Sequence, residues 1–289
     1  MKTIRGILKQ DLKYESGFLS AKTILSYYDC EEGNSNSGWD EIIDNDVEES
    51  SRTHFMDVYN RAIALDAIRP ELSGKRASYI DVGCASGYLI EEVKNKYPKA
   101  DIFGSDFLPE SLTRLHNRIP DVPLFRIDLT KARLEPDSFD AITCLNVLEH
   151  IEDDEKAIAN LYRMTKKGGM LFVSVPMAPF LYDMYDEVHF HIRRYKLCEI
   201  EKKIEAAGFK VVKSNFFGFF IFPVFFLVKI INRIKYSGLP IGSKRDLVRK
   251  EMRSSGSWKL MNIVCGIESA LGRYLKYPFG IRGYIIAQK

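Results

Sequence analysis

The sequence lacks both the cysteine spacing of a metal site and the apolar leader of a secreted protein. Its five cysteines are widely separated and include no Cys-x-x-Cys pair, so we expect reduced thiols and no bound metal. The first fifteen residues, MKTIRGILKQDLKYE, carry scattered charges and no apolar stretch, which predicts a cytoplasmic chain without a secretory signal. There is no internal repeat either.

The sequence also lacks an apolar run long enough to cross a bilayer. The run at 216–228 has thirteen residues without a polar side chain, seven of them Phe. As a helix it would measure roughly 20 Å against a hydrocarbon core of roughly 30 Å, and we expect Pro223 to break it. Residues 229–260 then carry nine Lys or Arg against two acids. This pattern is typical of a peripheral segment on an anionic membrane surface, here the inner face. A lid over the active site and a dimer interface are the alternatives.

Strand and helix patterns alternate from residue 77 onward, which predicts an α/β fold with a mostly parallel sheet and helices on both faces. An N-terminal helix should end before Pro70. Residues 1–50 are polar and predict a loop or short helix that caps the site, while 216–277 form an apolar and basic insert. The expected domain comprises 51–215 and 278–289. Its predicted strands are 77–82, 101–106, 122–128, 139–146, 169–176, 209–214 and 283–287.

One strand-to-helix junction, Asp81-Val82-Gly83-Cys84-Ala85-Ser86-Gly87, is built from small residues. Small residues allow a ligand to approach the backbone, and the following helix exposes N–H donors at its start. Asp106 and Asp128 lie at the ends of the next two predicted strands. The ends of successive parallel strands meet at one crevice, where such acids accept hydrogen bonds from a ribose or an adenine amine. The sequence therefore predicts a nucleoside site.

NAD and S-adenosylmethionine both contain such a nucleoside. The dinucleotide pattern Gly-x-Gly-x-x-Gly is absent, because the small residues fall at positions 83, 85 and 87. Asp81 before the loop would repel a pyrophosphate, whereas it could hold the loop or face the ammonium group of a methionine. S-adenosylmethionine is therefore the expected cofactor. An NAD-dependent oxidoreductase and a non-catalytic binding protein on the same fold are the alternatives.

These motifs resemble the class I S-adenosylmethionine-dependent methyltransferases of type 11 or 12. Leu148-Glu149-His150 is similar to the fourth-strand signature of the quinone-biosynthesis O-methyltransferases, and Ala85 departs from the commoner Gly. The resemblance implies a Rossmann-like seven-stranded sheet whose last strand is antiparallel and is preceded by the helical insert. It also implies a set of cofactor-binding residues, namely Asp81, Gly83, Cys84, Ala85, Gly87, Asp106, Phe107, Asp128, Leu129 and Asn146.

A second element, DEVHFHIRRY at 186–195, resembles the His-x-Arg-Arg-Tyr segment of methyltransferases found among surface-polysaccharide enzymes. The resemblance implies that Arg193, Arg194 and Tyr195 bind the acceptor, with the two guanidinium groups suited to an anion. A charged surface loop is the alternative interpretation.

Methyl transfer to a neutral hydroxyl requires a base with a pKa near the working pH, and His150 and His191 are the candidate catalytic residues. The apolar insert favours a lipid-linked acceptor, such as a polyprenyl-linked sugar or a quinone precursor, over a small soluble molecule. A nucleic-acid substrate is not expected, because the sequence has no Asn-Pro-Pro-Tyr-like motif and the basic run adjoins a Phe-rich block.

Overall fold

The computed structural model describes residues 24–26, 51–131, 134–254 and 259–289. Its sheet has the strand order β1-β4-β3-β2-β5-β6-β8-β7, in which β8 is antiparallel to both neighbours and the other pairs are parallel. The strands are β1 (Ile24–Ser26), β2 (Ser78–Val82), β3 (Asp101–Asp106), β4 (Leu124–Arg126), β5 (Phe139–Leu145), β6 (Thr165–Pro176), β7 (Lys210–Phe217) and β8 (Arg282–Gln288).

This topology confirms the Rossmann-like fold and the antiparallel last strand. It adds one strand to the predicted seven, because β1 pairs with the edge strand β4. A strand of three residues leaves little periodicity in the sequence, and for this reason the sequence predicts a loop or short helix there. The remainder of the predicted cap at 1–50 lies outside the described residues.

Helices cover both faces of the sheet. They are α1 (Phe55–Leu72), α2 (Tyr88–Lys96), α3 (Pro109–Arg118), α4 (Asp154–Met164), α5 (Met184–Val188), α6 (Leu197–Ala206), α7 (Phe222–Tyr236), α8 (Ile241–Ser254) and α9 (Lys259–Gly272), with short 3₁₀ turns at Leu148–His150 and Pro179–Leu181. Helix α1 passes through Pro70 to Leu72 rather than ending before the proline. So close to the end of a helix, the missing N–H of Pro70 removes one bond and little more.

The core lies on the two faces of the sheet. One apolar cluster packs α4 and α6 against β5, β6 and β8, and the other packs α1, α2 and α3 against β2 and β3. Every residue of β2 is buried, as expected for a parallel strand covered on both faces. The carboxyl ends of β2, β3, β4 and β5 therefore open at one edge, between the helix layers.

The insert between β7 and β8 is helical and comprises α7, α8 and α9. Pro223 does not break the apolar run, because it lies in the first turn of α7, where its missing N–H has no helical acceptor to lose. Glu268 of α9 is fully buried, and its carboxylate accepts hydrogen bonds from the backbone N–H groups of Gly218, Phe219 and Phe220. These bonds tie α9 to the turn that precedes α7.

None of the helices in the described ranges combines the length and the apolar character that a membrane-spanning segment needs.

Candidate active site

The loop after β2 is held in a conformation that requires glycine at two positions. Gly83 and Gly87 have φ angles of +75° and +67°, in the left-handed region that L-residues rarely adopt. A Cβ on Gly83 would lie 2.2 Å from Cγ2 of Val147, and one on Gly87 would lie 2.2 Å from Cδ1 of Leu115. The loop thus packs directly against the segment after β5 and against α3. Ala85 also has a positive φ, +38°, so the departure from glycine stores some backbone strain at the centre of the loop.

Asp106, at the end of β3, supports this loop. Its Oδ2 accepts a hydrogen bond of 2.8 Å from the backbone N–H of Ala85, and its Oδ1 accepts one of 3.0 Å from that of Leu108. These two bonds fix the carboxylate beside the loop, at the end of β3.

Asp128 lies two residues beyond the end of β4, since this strand is shorter than predicted and stops at Arg126. Its Oδ1 accepts hydrogen bonds from the backbone N–H and the hydroxyl of Thr130, at 2.9 and 2.7 Å. This closes a local turn that leaves the carboxylate half-buried. The neighbouring Leu129 is buried.

Two further predicted cofactor residues flank the crevice differently. Cys84 is buried, and burial raises the pKa of its thiol well above the ordinary value, so it contributes packing rather than charge. Phe107 is half-buried under the guanidinium of Arg126, which lies 5.8 Å from the ring centroid and donates a hydrogen bond from Nε to the carbonyl oxygen of Phe107. The ring is thereby held at the rim beside Asp106.

Asp81 is a buried carboxylate at the end of β2. The Thr143 hydroxyl donates to its Oδ1 at 2.7 Å, and Tyr79 in turn lies 2.7 Å from that hydroxyl. Burial raises the pKa of Asp81 to about 7, because a buried charge without a nearby cation is unfavourable. Asn146, after β5, has a φ of +52°, and its buried Oδ1 has no hydrogen-bond partner among the described residues. A cationic donor at this end of the crevice would satisfy both groups.

Three chemically active side chains meet next to this crevice. Glu149 and His150 lie in the 3₁₀ turn after β5, and His191 lies in the loop after α5. One ligand atom from each lies within 4.8 Å of those of the other two. The imidazole rings of the two histidines meet edge to face, with centroids 4.9 Å apart. The Ile192 N–H donates to the carbonyl oxygen of Glu149 at 2.8 Å, which fastens the two segments together.

The pKa values in this cluster differ from the value that a single general base requires. Burial, reinforced by the neighbouring His191, lowers the pKa of His150 to about 3, whereas the sequence-based hypothesis needs a value near the working pH. Burial also raises the pKa of Glu149 above its ordinary value. His150 is therefore a neutral ring with a lone pair but a weak base.

His191 is oriented by Asp186, whose Oδ1 lies 2.8 Å from the imidazole Nδ1. Burial would raise the pKa of Asp186, but the hydrogen bond from His191 and the charges of Lys229 and Arg194 outweigh it and hold the pKa well below the ordinary value. An ionised Asp186 can only accept, so Nδ1 of His191 carries the proton. In the neutral form of the ring, Nε2 is then the nitrogen with the lone pair.

Arg194 and Tyr195 are buried and Arg193 is half-buried, and all three have partners within the protein, so their contact with the acceptor stays a prediction. Tyr195 is fully buried, and its hydroxyl donates to Asp154 at 2.7 Å. Arg194 is buried against Asp186, with Nε 2.8 Å from Oδ1. Arg193 pairs with Asp154 at 3.0 Å. Because these donors are committed to partners within the protein, they position the loop that carries His191.

Sequence reasoning missed two residues of this region. Glu149 was part of a recognised motif, and a carboxylate beside His150 at a strand end was the available signal. Lys229 was counted in the basic run as a surface charge, but it is buried and pairs with Asp183 and Asp186. Lys244 is likewise buried and pairs with Glu187. The basic run therefore serves the interior as well as the surface.

Residues 80–173 match the protein family described as "Methyltransferase domain". The ubiquinone biosynthesis O-methyltransferase of Pseudomonas entomophila (strain L48) is 35% identical over 111 residues, which are 37% of this chain and 46% of the relative. The chain thus spans less than half the length of the curated relatives it matches. The family match over 80–173 includes the loop at 81–87 and the acids Asp106 and Asp128, and it favours a methyltransferase over an NAD-dependent oxidoreductase.

Solved structures share the fold over a larger part of the chain. Phosphoethanolamine N-methyltransferase 2 of Haemonchus contortus, in complex with S-adenosyl-L-methionine, superposes with a TM-score of 0.51 at 15% identity and covers 87% of this chain and 60% of its own. An S-adenosylmethionine-dependent methyltransferase from Mesorhizobium loti gives a TM-score of 0.53 at 16% identity and covers 80% and 98%. At these identities the likeness concerns the fold alone.

Proposed function

We propose that this chain transfers the methyl group of S-adenosylmethionine to a hydroxyl oxygen of a lipid-linked acceptor, since residues 80–173 match a methyltransferase domain and the fold is that of the class I methyltransferases. The observation that carries the proposal is the crevice itself. The loop that requires Gly83 and Gly87, the Asp106 carboxylate and the buried Asp81 carboxylate lie there, beside the cluster of Glu149, His150 and His191.

The residues present fit the cofactor. Asp106 would accept bonds from the ribose hydroxyls, Phe107 and Asp128 would flank the adenine, and Asp81 together with Asn146 would face the methionine ammonium. The raised pKa of Asp81 and the unpartnered Oδ1 of Asn146 support this assignment, since a bound cation would restore the ionised carboxylate and satisfy the amide oxygen.

Bound S-adenosylmethionine supplies an electrophilic methyl group on a sulfonium centre. The chain's task is then to place the acceptor oxygen in line with it and to accept the hydroxyl proton. We assign the proton-accepting step to the cluster of Glu149, His150 and His191 rather than to one ring. Asp186 orients the His191 ring, while burial lowers the pKa of His150 and keeps that ring neutral at physiological pH.

The proposal that the acceptor is lipid-linked is supported by the apolar residues exposed on the outer faces of α7 and α9. Helix α7 directs Lys229 and Asn232 inward and exposes an apolar face, on which Leu227 and Ile234 are 58% and 78% exposed. The exposed residues recur at helical spacing, at Val224, Leu227, Val228, Ile231 and Ile234 on α7 and at Leu260, Ile263, Ile267 and Leu271 on α9. A helix with its polar groups inside and its apolar stripe outside has the reverse of the usual orientation.

An anionic membrane surface is the partner that suits these faces. Apolar patches of this extent mark interaction sites, and exposed cations flank them at Arg233, Lys235, Arg273 and Lys276. The same surface would hold the enzyme where a lipid-linked acceptor presents its head group.

We expect the protein to bind vesicles that contain phosphatidylglycerol and to bind phosphatidylcholine vesicles more weakly. The double substitution Leu227→Glu with Ile234→Glu should lower the vesicle affinity at least about 100-fold, since each large apolar side chain contributes about 1.5–3 kcal/mol on burial. Flotation measures the bound fraction. Val212→Glu is the matched control, because Val212 is also an exposed apolar residue but lies on β7, outside the insert. Equal flotation of the double variant and the wild type would refute the membrane contact.

The methyl transfer is tested by incubating the purified protein with methyl-labelled S-adenosylmethionine and a membrane lipid extract. We expect the label in the organic phase, in a product whose methyl ether survives mild alkali. At a cofactor concentration that half-saturates the wild type, the Asp106→Ala variant should incorporate only a few per cent as much label, because its cofactor affinity is expected to fall at least about 100-fold. Label confined to water-soluble products would contradict the lipid-linked acceptor, and an absence of transfer to any acceptor would contradict the methyltransferase activity.

A further inference from the structure

The cluster beside the crevice has the composition of a metal site. A glutamate and two histidines supply one carboxylate oxygen and two imidazole nitrogens, and the three ligand atoms lie within 4.8 Å of one another. We propose that Glu149, His150 and His191 bind one divalent first-row transition-metal ion, of which Zn²⁺ is the reference. Two histidines and one carboxylate form a recognised donor set for such ions.

Glu149 provides the first independent observation. Its side chain is fully buried, yet neither carboxylate oxygen has a hydrogen-bond partner among the described residues. A buried carboxylate is normally paired, hydrogen-bonded or bound to a metal, because an unsatisfied polar group in the interior costs about 1–3 kcal/mol and a charge costs more. A cation between Glu149 and the two rings would satisfy it.

The outer contacts of the two histidines provide the second observation. A metal-binding histidine usually donates its other ring N–H to a carboxylate or a backbone carbonyl, which fixes the tautomer and aims the lone pair at the metal. Here Nδ1 of His191 lies 2.8 Å from Asp186, and Nδ1 of His150 lies 3.3 Å from the carbonyl oxygen of Phe190. In each ring Nδ1 faces an oxygen acceptor, so Nε2 is the nitrogen that would bind the metal.

The fold holds the ligands at two places that are far apart in the chain but joined in space. Glu149 and His150 follow β5, and the backbone bond from Ile192 to Glu149 holds His191 over them. Metal–nitrogen and metal–oxygen bonds measure about 2.0–2.2 Å, so small side-chain rotations bring three atoms within 4.8 Å of one another to a common ion. Three protein ligands leave coordination positions open.

The catalytic use of the ion rests on the proposed function. A bound cation would lower the pKa of an acceptor hydroxyl at an open coordination position, and the hydroxyl proton would then pass to solvent. With the ion bound, the cluster would promote loss of the proton through the metal instead of accepting the proton itself, because both rings would be ligands. The sequence-based expectation of no metal considered cysteine spacing, which does not reveal a site of this kind.

The test uses the full chain without a histidine tag, after dialysis against a chelator. Titration calorimetry with Zn²⁺ should show one equivalent bound, and Co²⁺ should give visible absorption bands from its imidazole and carboxylate ligands. Glu149→Gln and His191→Gln should each lower the Zn²⁺ affinity at least about tenfold, the smallest effect expected even for an outer contact. Circular dichroism identifies a variant that fails to fold, in which case the other variant decides.

His189→Gln is the matched control. His189 lies in the same loop, with its ring centroid 6.0 Å from that of His191, but its Nδ1 contacts the carbonyl oxygen of Tyr185 and the residue is outside the cluster. We expect it to keep the wild-type affinity. Absence of one-equivalent binding in the wild type, or equal binding by Glu149→Gln, would overturn the metal site. Full methyl transfer by the chelated enzyme would overturn its catalytic use alone, while metal binding without any methyl transfer would count against the proposed function and leave the site intact.

Discussion

Replacing Lys229 by methionine should lower the free energy of unfolding by about 3–5 kcal/mol, the range for removing one partner of a buried ion pair. The Lys229 ammonium is buried on α7 between two carboxylates, in direct contact with Asp183 and 3.4 Å from Asp186. Methionine keeps the length and apolar volume of the side chain but removes the charge. Asp186 retains Arg194 as a partner, so the substitution mainly removes the cation that compensates the charge of Asp183.

Urea denaturation measures this change, and Lys235→Met is its control. Lys235 is exposed on the same helix, so the substitution should change stability by no more than about 0.5 kcal/mol. The insert would then be shown to stabilise the active-site loop, since Asp183 caps α5 through the Tyr185 N–H and Asp186 orients His191. A Lys229→Met protein as stable as the control would indicate that the two carboxylates find other compensation, and the connection between insert and site would be lost.

Replacing Asp106 by alanine should weaken the binding of S-adenosylmethionine at least about 100-fold. Each hydrogen bond to a charged group contributes about 1.5–3 kcal/mol, and two ribose hydroxyls together account for more than two powers of ten in affinity. The substitution also removes the acceptor of the Ala85 N–H, which supports the strained centre of the loop. Both effects act on the cofactor site and leave the apolar core intact.

Calorimetric titration with S-adenosylmethionine or S-adenosylhomocysteine gives the dissociation constant. Asp101→Ala is the matched control, because Asp101 begins the same strand and its carboxylate pairs with the exposed Arg76 at the opposite edge of the sheet. We expect wild-type affinity for this variant. An Asp106→Ala protein within threefold of the wild type would place the ribose elsewhere in the crevice.

The predictions that held share a local physical basis. The turn at 81–87 and the position of Asp106 at the end of β3 depend on residues close together in the chain, and the small size of Gly83 and Gly87 is itself the condition for the left-handed turn. The errors at Pro70 and Pro223 have a local origin too, because the effect of proline depends on whether it lies inside a helix or in its first or last turn.

The burial of charged residues could not be predicted from the local sequence. A run of Lys and Arg predicts a positive surface only if the side chains reach solvent, and the packing of α7 and α8 buries Lys229 and Lys244 in ion pairs. Arg194 and Tyr195 are buried as well, which their position in a charged segment does not predict. Burial depends on which helix faces which neighbour, and this information is not contained in the spacing of charges.

The sequence by itself determined the class of fold and predicted where a cofactor would bind, because strand periodicity, small residues and strand-end acids act within one β–loop–α unit. Only the tertiary structure decided which side chains stand opposite that crevice. The Lys229–Asp183 pair joins positions 46 apart, and the Phe190 carbonyl reaches His150 from 40 residues away. Such contacts arise from the packing of the whole sheet and its insert, since the free energy of burial and not the chain sequence between two residues brings them together.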